Sequence, residues 1–120
     1  MSKNKITPEK KVEKEVLSYC QEMGWFVTVV ESKAVFSKAL GIYRAGMTKK
    51  GFPDLIGCDN NGYVLAIELK APGRLSTLRH EQKVFLDQIK SRGGFSAVVS
   101  NAQMLHDLYM DFLERKRFAK

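Results

Sequence analysis

Gly51-Phe52-Pro53-Asp54-Leu55-Ile56-Gly57-Cys58-Asp59-Asn60-Asn61-Gly62-Tyr63-Val64-Leu65-Ala66-Ile67-Glu68-Leu69-Lys70 reads as two strands joined by a tight turn. The apolar runs Leu55 to Cys58 and Tyr63 to Leu69 flank Asp59-Asn60-Asn61-Gly62, a strong hairpin signal. A loop over Asn60-Asn61-Gly62 gives Gly62 the positive φ and pairs Asp59 with Tyr63. The same register sets Asp54 opposite Glu68, where facing Cβ atoms lie roughly 4.5–5.5 Å apart. The strand period of two then places Lys70 on the face of Glu68.

Like charges directly opposite destabilise a sheet. Either one carboxylate keeps its proton, or a positive charge sits between the two. Hard divalent cations such as Mg²⁺ take oxygen ligands, usually one or two carboxylates. The carbonyl of Leu69 offers a further oxygen, and Lys70 alongside stands ready to orient or, as the free amine, deprotonate a metal-bound water. Such a set suits hydrolysis of a phosphodiester.

Pro53-Asp54 followed by Glu68-Leu69-Lys70 resembles the PD-(D/E)XK nuclease signature. The wider pattern resembles its VRR-NUC branch: Gly51-x-Pro53-Asp54, Ile67-Glu68-x-Lys70, Leu75-Ser76, Gln82 and Gly93-Gly94. The resemblance runs from about Glu9 to about Ser100. It implies a restriction-endonuclease-like α/β core with a central mixed sheet flanked by helices. It also implies metal-dependent cleavage of DNA, with Asp54, Glu68 and the Leu69 carbonyl binding Mg²⁺ or Mn²⁺. A glutamate of the first helix is expected to point at the metal: Glu9 fits best, with Glu13 as the alternative. Gln82 is expected to help place the water or the DNA. Stand-alone proteins of this kind resemble structure-specific endonucleases, including resolvases of branched DNA such as the Holliday junction, for which a homodimer suits two symmetric cuts. A nicking or flap nuclease of the same chemistry, and a basic nucleic-acid-binding protein without catalysis, are the rival readings.

Composition fits this frame. The chain has 120 residues, 44% of them hydrophobic, as expected for one domain with a real core. A net charge of +7 and a pI near 9.5 suggest an anionic partner, most simply nucleic acid. No apolar run approaches the roughly 20 residues of a membrane helix. No secretory signal is visible in Met1-Ser2-Lys3-Asn4-Lys5, which has charge without a following apolar segment. Cys20 and Cys58 lack metal-ligand spacing and read as free thiols of a reducing cytosol.

Around the hairpin the expected order is α-β-β-β-α-β-α. Thr7-Pro8 caps a first helix that runs to Met23 and stops at Gly24, with Val12, Val16, Cys20 and Met23 as its stripe. Glu9 and Glu13 in its first turns also favour the helix dipole. Trp25 to Val30 is a strand apolar enough to be covered on both faces. The segment 31–50 mixes Lys33, Lys38, Arg44, Lys49 and Lys50 with Phe36 and Tyr43, and suits a contact to a nucleic-acid backbone. A short helix fits Ala34 to Leu40. Arg44, Lys49, Lys50, Arg74 and Arg79 are the candidate phosphate contacts.

A helix from about Thr77, capped by Ser76 or Thr77, to Arg92 carries Gln82 and buries Leu78, Val84, Phe85, Leu86 and Ile89, and Gly93-Gly94 ends it. Phe95 to Val99 is the next strand. Ser100-Asn101-Ala102-Gln103 then opens a last helix striped by Met104, Leu105, Leu108, Phe112 and Leu113. Residues 1–6 and 115–120 read as flexible basic tails.

Overall fold

The structure, a computed structural model, describes residues 6–30, 35–37, 42–44 and 51–118, with side chains described over 6–30 and 51–118. Four strands form a mixed sheet in the order β1 (Phe26–Val29), β4 (Leu55–Cys58), β5 (Val64–Leu69), β6 (Phe95–Val99). β1, β4 and β5 run antiparallel, and β6 joins β5 in parallel after α2 (His80–Ser91). A separate ribbon pairs β2 (Val35–Ser37) with β3 (Ile42–Arg44). Helices α1 (Pro8–Met23) and α3 (Ala102–Phe118) complete the chain. Apart from the ribbon, the order is the expected α-β-β-β-α-β-α.

Local chemistry sets each boundary. Thr7 caps α1 through its hydroxyl, with Pro8 at the first helical position, and Gly24 closes it at φ 73°. Leu55 pairs with Ile67 and Cys58 with Val64, the register drawn from the turn. The Asp59 N–H bonds the Tyr63 carbonyl at 3.0 Å, and Gly62, at φ 85°, returns its N–H to the Asp59 carbonyl. Asp59 Oδ1 accepts from the N–H groups of Asn61 and Tyr63, and its Oδ2 accepts the Tyr109 hydroxyl at 2.6 Å. The turn is thereby anchored to α3. Gly93 and Gly94 close α2, each donating its N–H back to the last turn.

Period two divides the sheet faces. Leu55, Leu65, Ile67, Leu69, Phe95, Ala97 and Val99 face α1 and α3, packing with Val12, Val16, Cys20, Leu105, Tyr109 and Phe112 into the core. The opposite face carries Ala66 and Glu68 and receives α2 through Gln82 and Leu86.

Several expectations are corrected. β1 is an edge strand and not covered on both faces: Phe26 is 79% exposed. Val35–Ser37 forms a strand where a helix over Ala34 to Leu40 was expected, because β-branched and aromatic residues pair well across a ribbon. α2 begins at His80, three residues later than the turn-rich segment suggested, and its N-cap is Arg79. Leu78 precedes the helix and Val84 is exposed. Asn101 caps α3 by accepting the Met104 N–H, and Tyr109 replaces Leu108 on its buried side. Arg115, Lys116 and Arg117 are not tail but the last turn of α3, where cations suit the helix dipole and Arg115 pairs with Asp111. Among the described residues no helix is long and apolar enough to cross a membrane.

Candidate active site

The register that pairs Leu55 with Ile67 brings Asp54 and Glu68 to one end of the hairpin. Asp54 is fixed on both sides. Its carbonyl accepts the Val30 N–H at 2.8 Å, and its Oδ2 accepts the Leu69 N–H at 2.8 Å. Hydrogen-bonded pairs alternate from Asp59–Tyr63 along the hairpin, so the next ladder partner of Leu69 is position 53. Proline has no N–H to give. The Leu69 carbonyl is therefore left without a ladder donor, while the Leu69 N–H, which points the same way, donates to the Asp54 carboxylate.

Glu68 is buried, at 3% exposure. Its Oε2 accepts from Gln82 Nε2 at 2.6 Å and lies 3.7 Å from Lys70 Nζ, an ion pair too long for a hydrogen bond. Its Oε1 is buried with no hydrogen-bond partner among the described residues. Gln82 is itself held: its Oε1 accepts the Arg79 N–H at 2.9 Å, the first free donor of α2. With its oxygen committed to the helix cap, the amide must turn its nitrogen to Glu68.

Electrostatics follow from enclosure. Burial first, and then the Asp54 carboxylate, push the Glu68 carboxyl up to about 7, against the pull of Lys70. Asp54 is also raised, by burial first; the Leu69 N–H and Lys70 oppose this, while Glu9 and then Glu13 add repulsion. Both first-helix glutamates therefore act on Asp54 through space. Glu9 is exposed, and Glu13 pairs with Lys10 at 3.4 Å. Among the described residues no three Asp, Glu, His or Cys side chains gather closely enough to share one ion, so Glu9 is not brought into a common cluster with Asp54 and Glu68.

A divalent cation fits what is here. The donors are hard oxygens: two carboxylates and the Leu69 carbonyl. The partnerless Glu68 Oε1 is a buried lone-pair donor of the kind that costs stability unless something positive meets it.

The turn before Asp54 is docked on α2. Gly51 adopts φ 91°, and a Cβ there would come within 2.5 Å of the Glu81 carbonyl oxygen. The Phe52 ring packs tilted against Phe85, with centroids 4.7 Å apart. α2 thus holds Glu68 through Gln82 and steadies Asp54 through this contact. The sequence carried a signal for the cap, a Gln three residues after Arg79, masked by the missing Ser or Thr at the cap position. Of the candidate phosphate contacts, Arg74 and Arg79 are exposed on the connection from Lys70 to α2. Lys49, Lys50 and the side chain of Arg44 lie outside the described residues.

A mixed sheet whose central hairpin ends in two acids and a lysine, with α2 braced over them, defines the class of PD-(D/E)XK-type nuclease domains. The model of the VRR-NUC domain matches residues 32–103, and the chain belongs to this family. No protein of curated function matches the chain closely enough to count as a relative. A nuclease domain implies nucleic acid as its partner.

Proposed function

We propose that the protein is an Mg²⁺- or Mn²⁺-dependent DNA endonuclease acting on branched DNA in the manner of a Holliday junction resolvase. The carrying observation is the orphaned Oε1 of Glu68 beside Asp54, two enclosed acids whose carboxyls burial pushes up, with a lysine at their edge. Asp54, Glu68 and the Leu69 carbonyl would hold the ion, and Glu9 would complete its surroundings through water. When bound, the ion supplies Lewis-acid polarisation of the phosphoryl oxygen and a nucleophile at neutral pH.

The chain's own groups do the rest. Lys70 Nζ positions the attacking water and stabilises charge developing on the phosphoryl group. Gln82 keeps Glu68 turned so that Oε1 stays available. Lys49, Lys50, Arg44, Arg74 and Arg79 contact the backbone phosphates, in keeping with a net charge of +7. A two-fold homodimer would match the two symmetric cuts of a four-way junction.

The test is cleavage of four-way, nicked and linear duplexes with Mg²⁺, Mn²⁺ or EDTA. Wild type is expected to cut the junction only with a divalent ion. Asp54→Ala, Glu68→Ala and Lys70→Ala should each lose roughly 10²-fold or more in rate. The two acid variants should bind the junction at least as well, since negative charge near phosphate is removed. Cutting that persists in EDTA, or in Glu68→Ala, would overturn the assignment.

A further inference from the structure

α2 covers only part of the sheet face that bears the acids. Directly paired residues share a face, so this face is laid out in rows: Phe26–Cys58–Val64, then Thr28–Ile56–Ala66, then Val30–Asp54–Glu68. On the β5 side Ala66 is 0% and Glu68 3% exposed, closed off beneath α2. On the β1 side Thr28 is exposed and Phe26 is 79% exposed, and at the far end of β5 Val64 is 41% exposed. Among the described residues an open lane therefore runs over β1, with Cys58, Ile56 and Asp54 of the neighbouring strand half-buried along it, from an apolar row at one end to the acid row at the other. Phe26 stands four residues before Val30, so its row lies about 13 Å along the strands from the acid row at roughly 3.3 Å per residue.

Single exposed apolar residues are ordinary. This one is different in placement: it shares a row with Cys58 and Val64, and that row is continuous with the site across one sheet face. The ligand that must cross the acid row is a nucleic acid strand. The Phe26 row holds no cation among its three residues, so it offers the strand a ring face and not a phosphate contact. Aromatic faces bind unpaired bases by stacking, tolerant of sequence.

We propose that this lane seats the substrate strand and that Phe26 is a stacking platform for an unpaired base held about 13 Å along the sheet from the acid row, at roughly 3.3 Å per residue. The substrate feature that follows is a branch point at which bases near the scissile bond come unpaired. The inference rests on the nuclease reading.

The experiment measures binding of the full-length chain, in EDTA, to a labelled single strand and to a blunt duplex of the same length by fluorescence anisotropy. Phe26→Ala is expected to bind the single strand about tenfold more weakly and the duplex nearly as wild type. Phe26→Trp should retain single-strand affinity. Thermal unfolding of both variants should match wild type, because so exposed a ring contributes little to the core. Unchanged single-strand affinity in Phe26→Ala, or an equal loss on both substrates, would overturn the proposal. So would a fall in molar mass by light scattering, which would make the row a contact between copies of this chain. If wild type binds and cuts DNA while Phe26→Ala binds like wild type, this inference alone falls. If wild type binds neither strand nor duplex, the nuclease reading falls with it.

Discussion

Gln82 does two jobs with one amide, and a single substitution separates them. Its oxygen caps α2 at the Arg79 N–H and its nitrogen donates to Glu68 Oε2. Gln82→Glu keeps an acceptor for the cap, since Glu serves as well as Gln at that position. It removes the donor and sets a third carboxylate against Glu68. In EDTA at pH 8 the variant should be about 1–3 kcal/mol less stable than wild type by urea unfolding, the cost of an unmet buried group. The deficit should shrink at pH 5, where the carboxyls hold protons. A glutamine that merely capped the helix would show no deficit at either pH. At this scale the sequence was informative about which residues meet and less so about how. Asp54, Glu68 and Lys70 converge as the hairpin register suggested, and Gln82 joins them as the family resemblance implied. That Gln82 grips Glu68 was hidden, because it depends on where Arg79 ends the preceding loop.

Among the elements, the hairpin was the most legible and α2 the least. The turn over Asn60-Asn61-Gly62 left one register, and the register then placed every residue of β4 and β5. The start of α2 misled because Ser76 and Thr77 are ordinary caps, whereas Thr77 instead folds back on Arg74 in a turn. The edge position of β1 was illegible, since an apolar run reads alike whether its faces are covered by protein or serve a ligand.

Two glycines show what the elements demand of the backbone. Gly62 has φ 85° but open space around its Cβ position, so Gly62→Ala should cost only about 1 kcal/mol of strain. Gly51 has φ 91° and also abuts the Glu81 carbonyl, so Gly51→Ala must push the Asp54 turn off α2. Its cost should exceed that of Gly62→Ala by 1 kcal/mol or more, as overpacking does. Cleavage by Gly51→Ala, measured where the variant remains folded, should fall well below that of Gly62→Ala. Equal stabilities for the two variants would mean that the close approach to α2 carries no load.

At the scale of the molecule, the acid pair sets how stability varies with pH. The Glu68 carboxyl is raised from 4.5 to about 7 in the folded chain. A group raised on folding lends stability that is full below its unfolded pKa and lost as pH climbs through the folded one. The window is therefore about 4.5 to 7, and the loss across it is on the order of 3 kcal/mol at 1.36 kcal/mol per pH unit. Asp54 is shifted in the same direction and deepens the loss. Set against a total of roughly 5–15 kcal/mol for a domain, this is a large share. In EDTA the wild-type midpoint should drop by on the order of 10 °C between pH 4.5 and 7.5. Glu68→Gln should flatten most of that slope and melt higher than wild type at pH 7.5. Millimolar Mn²⁺ should raise the wild-type midpoint at pH 7.5, where both carboxyls can ionise around it, and leave Glu68→Gln nearly unmoved. A fold that spends stability to enclose two acids regains it only when a cation arrives. A wild-type curve as flat as that of Glu68→Gln would therefore deny that the enclosure is costly, and with it the reason for expecting a metal.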